Sequence, residues 1–127
     1  MQTEHAFEVV FPPEKARVAQ MRRITRAFLR LHGVQDSVAE DVVLPLSELV
    51  SNGVQHGNGE IVLRVRYAGS GLRIEVSDGN PVPAEMRVAP DDDVSGRGLF
   101  IVNALAQEWG VSDDGATTWC ELSLAAC

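Results

Sequence analysis

The sequence predicts an α+β domain, a two-layer sandwich in which helices cover one face of a mostly antiparallel, mixed sheet. Three observations lead there. The elements follow the order βααββαββ. Two strand pairs are joined by tight-turn residues, Gly69-Ser70-Gly71 and Asp113-Asp114-Gly115. Both early helices carry an apolar stripe along one side, which needs a sheet or another helix to cover it.

His5 to Phe11 alternates as a strand does, and Pro12-Pro13 stops it. From Glu14 to His32, the residues Val18, Met21, Thr25, Phe28 and Leu31 or His32 recur at helical spacing. Arg22, Arg26 and Arg30 run along another face, and Gly33 closes the helix. Asp36 is placed as the N-cap of a second helix reaching His56, with Val43, Leu46, Val50 and Val54 as its buried stripe and Gly57 as its C-cap. Ile61 to Tyr67 and Leu72 to Ser77 alternate, are rich in β-branched residues and form a hairpin. Asp78 to Ser95 holds three prolines and Asp91-Asp92-Asp93, so it forms no regular element and is long for a loop. Helical spacing resumes over Gly98 to Gln107 through Leu99, Val102, Leu105 and Ala106. A second hairpin, Trp109 to Ser112 and Thr117 to Leu124, ends the pattern.

Composition narrows the function. The 127 residues amount to one domain, residues 1–127, and 45% hydrophobic content suffices for a core of ordinary size. With 18 Asp and Glu against 11 Lys and Arg, the chain lacks the basic footprint of a nucleic-acid-coating protein. No window approaches the roughly 18 consecutive apolar residues of a membrane span, and MQTEHAFEVVF does not read as a signal segment, so a cytoplasmic protein is expected. Cys120 and Cys127 have neither zinc-ligand nor disulfide spacing and read as free thiols.

The chemistry is concentrated in three places. Within SELVSNGVQHG, Glu48, Asn52 and His56 follow at four-residue steps and share one helix face within an arc of about 80°. Asp78-Gly79 ends a strand, setting a carboxylate beside a residue that lets a ligand approach the backbone. Ser95-Gly96-Arg97-Gly98-Leu99 is a glycine-rich turn opening into a helix, where free backbone N–H groups and the positive helix end favour an anion. Each feature alone has an ordinary explanation: a solvated face, a simple turn, a flexible helix entry. His56 lacks Cys or carboxylate partners at metal spacing and reads as structural.

Taken together in this order, the three resemble the Bergerat-fold ATPase superfamily of gyrase, chaperone, histidine kinase and mismatch-repair proteins. SELVSNGVQHG and GRGLFIVNALAQEWGV are most similar to its stand-alone branch of anti-sigma factors with serine/threonine kinase activity. The resemblance implies an ATP-binding domain with Mg²⁺, in which Asn52 is an oxygen ligand of the metal and Glu48 is the catalytic residue, a base or a water-positioning carboxylate. It implies that Asp78 and Gly79 bind adenine, and that Gly96, Arg97, Gly98 and Leu99 cradle the phosphates. It implies transcription regulation through a sigma factor or an anti-anti-sigma protein, with a homodimer also open; the Arg22, Arg26 and Arg30 stripe suits an acidic-partner surface as well as it suits a plain solvated face. The alternative is a nucleotide-dependent module that sequesters its partner without phosphorylating it. The chain departs from the pattern at Pro81, where a second glycine is usual, at Pro45 inside the Glu48 helix, and at Gly53, where alanine is usual.

Overall fold

The computed structural model describes residues 4–56, 59–78 and 106–124. They form strand β1 (His5–Phe11), helices α1 (Ala16–Leu31) and α2 (Asp36–His56), and strands β2 (Ile61–Ala68), β3 (Gly71–Ser77), β4 (Glu108–Val111) and β5 (Thr117–Ser123). The five strands lie in the order β1-β2-β3-β5-β4, and all four described pairings are antiparallel. The expected α+β sandwich is the fold observed. The third helix expected over Gly98 to Gln107 lies outside the described residues except for Ala106 and Gln107, which are not helical. The Gln107 N–H donates to the Glu121 carbonyl at 2.8 Å, so the chain is already joining the sheet there.

Alternation along the strands makes the core. Leu63 and Val65 on β2, Leu72, Ile74 and Val76 on β3, and Cys120 and Leu122 on β5 are buried. Against them α2 sets Ala39, Val42, Leu46, Leu49 and Val50, a wider face than the expected stripe, with Val54 only partly covered. The opposite sheet face carries charge. Glu8, Arg64, Glu75, Arg73 and Glu121 form a chain of ion pairs across β1, β2, β3 and β5, and the Arg73 guanidinium lies 4.2 Å over the Trp119 ring.

Helix α1 buries Val18, Met21, Thr25 and Leu29. The expected choice of Leu31 is corrected: Leu31 is 78% exposed and Leu29 is fully buried, one turn beyond Thr25. Phe28 instead joins an aromatic row that seats the end of α1 on β1, with its ring 4.9 Å from Phe7 and 4.8 Å from His32, which stacks on His5 at 3.9 Å. Gly33 closes the helix as expected. At φ 82° it lets its own N–H reach the Arg30 carbonyl and the Val34 N–H reach the Leu29 carbonyl, a double closure that needs a left-handed residue.

Asp36 sits in the first turn of α2 rather than at its N-cap, because the Ala39 N–H donates to the Gln35 carbonyl. Its negative charge still favours that helix end. Pro45 is buried inside α2, and the helix runs through it without a break. The expected C-cap Gly57 lies outside the described residues.

Candidate functional site

Two segments of the expected site are described: the polar face of α2 and the end of β3. Glu48 and Asn52 are half-buried, while His56 at the tip of the same face is exposed. The turn that carries Asn52 is pressed onto the sheet by Gly53. A Cβ there would stand 3.2 Å from Val76 Cγ1 and 3.5 Å from Ile61 Cδ1, so the absence of a side chain lets α2 approach closely. Val76 is two residues before Asp78. Leu72, Ile74 and Val76 alternate on the helix-covered side of β3, and Asp78 follows directly after the strand's end.

The end of β3 is firmly held. The Asp78 N–H donates to the Ala116 carbonyl at 2.9 Å, and the Ser77 and Thr117 hydroxyls share a hydrogen bond of 2.7 Å. The turn between β4 and β5 supports that clamp: the Gly115 N–H bonds to the Ser112 carbonyl at φ 75°, and Asp114 accepts from the Ser112 hydroxyl and the Ala116 N–H. Gly79, Gly96, Arg97, Gly98 and Leu99, with Pro81 and Asp91 to Asp93, lie outside the described residues.

Glu48 and Glu40, two acids of α2, sit in opposite electrostatic settings. Burial raises the Glu48 carboxyl above the ordinary range, and the Arg22 guanidinium on α1 pulls the other way. The three arginines expected to form one open stripe therefore differ. Arg26 makes a two-pronged pair with Glu40 at 2.8 and 3.0 Å, which holds the Glu40 carboxyl below its usual range. Arg30 pairs with Asp36 at 3.3 Å. Arg22 closes no hydrogen-bonded pair among the described residues, and its Nε is buried with no acceptor. The sequence reading missed this relation between Arg22 and Glu48. The spacing of the two faces offered a signal, but only the packing of α1 on α2 says which residues meet.

The donor set bears on a metal. Among the described residues no three His, Cys, Asp or Glu side chains gather as a metal cage. An amide oxygen from Asn52 near one carboxylate fits Mg²⁺, which keeps waters and takes phosphate oxygens instead of a full protein shell. Among the described residues no helix is long and apolar enough to cross a membrane.

Comparison with known proteins agrees with this architecture. A crystal structure of the RsbU and RsbW domains of Rv1364c from Mycobacterium tuberculosis superposes with a TM-score of 0.69 at 22% identity. The match covers 94% of this chain and 32% of that one, so this chain spans about a third of its length. At that identity the likeness speaks for the fold, which is the Bergerat fold. No curated protein matches the chain. The sequence profile of the histidine kinase-like ATPase domain matches residues 11–122, which take in both helices and strands β2 to β5 up to Leu122 but only Phe11 of β1, and the chain belongs to that family.

Proposed function

We propose that this ATP-binding domain is a regulatory serine/threonine kinase of the anti-sigma type, which holds Mg·ATP and phosphorylates an anti-anti-sigma protein. One observation carries the reading: a half-buried carboxylate, Glu48, sits one helical turn before Asn52 on a face of α2 that neither the sheet nor α1 fully covers. A pure binding module has no need of a base there.

In this reading Asp78 accepts a hydrogen bond from the adenine amino group and so selects adenine over guanine. Gly79 admits the base, and Gly96, Arg97, Gly98 and Leu99 hold the phosphates. Asn52 supplies an oxygen to Mg²⁺, which when bound neutralises phosphate charge. Glu48 accepts the proton of a serine hydroxyl as that oxygen forms its bond to the terminal phosphorus. The bond from that phosphorus to ADP breaks, and ADP leaves with the electron pair. On the partner side, among the described residues Arg26 and Arg30 are held by exposed ion pairs with Glu40 and Asp36. Such pairs are weak, so acidic groups on a sigma factor or an anti-anti-sigma protein can take them over.

The test is radiolabel transfer from ATP to a candidate anti-anti-sigma protein, beside calorimetry with ATP and GTP. Glu48→Gln keeps shape and hydrogen bonding but cannot serve as a base. Transfer is expected to fall by about 10² to 10⁴-fold while ATP affinity stays within a few-fold. Wild-type protein that binds ATP and transfers nothing would turn the reading to the sequestering module, and equal affinity for GTP would remove Asp78 from the adenine site.

A further inference from the structure

Beyond the ends of β3 and β5 the sheet carries a further rung between two residues that belong to neither strand. β3 ends at Ser77 and β5 begins at Thr117, and these two lie opposite each other in register. Past them the Asp78 N–H donates to the Ala116 carbonyl at 2.9 Å. A terminal rung of this kind is the first to fray, because no rung beyond it shares the strain. Here one of its partners is held from behind. The Ala116 N–H donates to Asp114 Oδ1 at 3.0 Å, and the same oxygen accepts from the Ser112 hydroxyl at 2.6 Å. Ser112 Oγ in turn accepts from the Thr117 N–H at 3.1 Å, and the Ser112 N–H donates to the Thr117 carbonyl at 2.8 Å. Gly115 at φ 75°, bonded to the Ser112 carbonyl, already reverses the chain, so the shape of the turn does not by itself require the Asp114 carboxylate.

We propose that Asp114 is a positioning residue for the nucleotide: its carboxylate fixes Ala116, the Ala116 carbonyl fixes the Asp78 backbone, and Asp78 meets the adenine ring from a set place. The inference rests on the reading of Asp78 as acceptor of the adenine amino group. Selection by one carboxylate depends on where that carboxylate stands. Its oxygen attracts the amino group of adenine and repels the carbonyl oxygen that guanine carries at the same ring position, and both effects weaken when the acceptor wanders. Asp78 lies just past the end of β3, where a strand holds its residues least, so a tether acting through Ala116 has most to add there. Asp114 is exposed and acts through the backbone, so it governs placement and not contact.

The experiment uses the whole chain. Nitrogen NMR relaxation gives the order parameter of the Asp78 amide in nucleotide-free protein, and calorimetry gives the affinities for Mg·ATP and Mg·GTP. Asp114→Ala is expected to lower that order parameter from about 0.85 towards 0.6. ATP affinity falls about three- to ten-fold, the scale of one lost hydrogen bond, while GTP affinity stays within about two-fold, so the preference for adenine narrows. Asp114→Asn keeps an oxygen acceptor for both donors and stays at wild-type values. Asp113→Ala removes the same charge from the exposed residue before it and moves neither readout. Ser112→Ala removes a donor to Asp114 and the acceptor of the Thr117 N–H, moves both readouts in the direction of Asp114→Ala, and replaces that variant should it fail to fold. An unmoved order parameter in Asp114→Ala overturns the inference, as does an equal loss of ATP and GTP affinity, the mark of a turn that serves the fold at large. Wild-type protein that binds no ATP counts against the reading of Asp78 alone, since the order parameter still decides whether Asp114 holds that residue in place.

Discussion

Replacing Gly53 by alanine tests how α2 is seated. Gly53 lies in the interior of α2, where alanine in place of glycine favours the helix by about 0.8 to 1.0 kcal/mol. Its methyl group would be buried against Ile61 and Val76, worth roughly another 0.8 kcal/mol. Opposing this, the new carbon would stand 3.2 Å from Val76 Cγ1, tighter than ordinary contact, and Val76 is 3% exposed on a strand with neighbours on both sides. The other two near atoms, both of Ile61, are at 3.5 and 3.6 Å and need not move. A shift of a few tenths of an ångström in one methyl costs less than the two gains together, since full overpacking costs about 1 to 3 kcal/mol. Net stabilisation of roughly 0.5 to 1.5 kcal/mol is expected in urea unfolding, a rise in Tm of about 2 to 5 °C. Gly53→Val adds branches where there is no room, and is expected to lose about 1 to 3 kcal/mol. A loss of 1 kcal/mol or more in Gly53→Ala would refute the claim that the Val76 methyl gives way, and a valine variant no worse than alanine would refute the close seating of α2 on Val76.

Asp78→Ala should weaken ATP binding about ten-fold to a hundred-fold, the equivalent of roughly 1.5 to 3 kcal/mol, while the amide at this position still donates to the Ala116 carbonyl. Calorimetry checks the loss. Burial pushes the Cys120 thiol up to about 12, so in a Cys127→Ser background Ellman's reagent at pH 8 should label Cys120 only as urea unfolds the chain. Labelling at the same rate in native protein would contradict its burial. At Glu75, burial raises the carboxyl, but hydrogen bonds from Arg73 and Arg64 outweigh it and leave the group below its usual range. A lowered folded value means that Glu75 contributes stability above the unfolded-state value, roughly pH 4.3, and loses it as pH falls through the folded one. Glu75→Gln should therefore be less stable than wild type at pH 7, with the gap closing below about pH 4 in urea titrations.

Much of the fold was legible because periodicity is a local property. The limits of α2 follow from Asp36 and the recurrence of apolar residues to Val54, and the hairpins follow from their turn residues. Leu29 was harder, since Leu29 and Leu31 both sit near the edge of a helical stripe that includes Met21 and Thr25. The aromatic row of Phe7, Phe28, His32 and His5 decides between them, and it depends on β1, a separate element. Gln107 read as helix because Ala106 completes a helical spacing, yet its N–H finds a sheet partner 14 residues later in Glu121. At the candidate site, the common face of Glu48 and Asn52 came from spacing within one helix. What lies across from it did not, since a helical wheel shows which way Arg22 points and not which residue of α2 it meets.

The bond between the Asp78 amide and Ala116 has a kinetic consequence. That amide is tied into the sheet, so its hydrogen should exchange with solvent slowly, like those of the central strands. A ligand arriving at Asp78 then meets an acceptor whose backbone is already ordered, and gives up little entropy to fix it. Its encounter rate should depend little on the side chain at this position, and substitutions there should appear as shorter residence of the bound ligand.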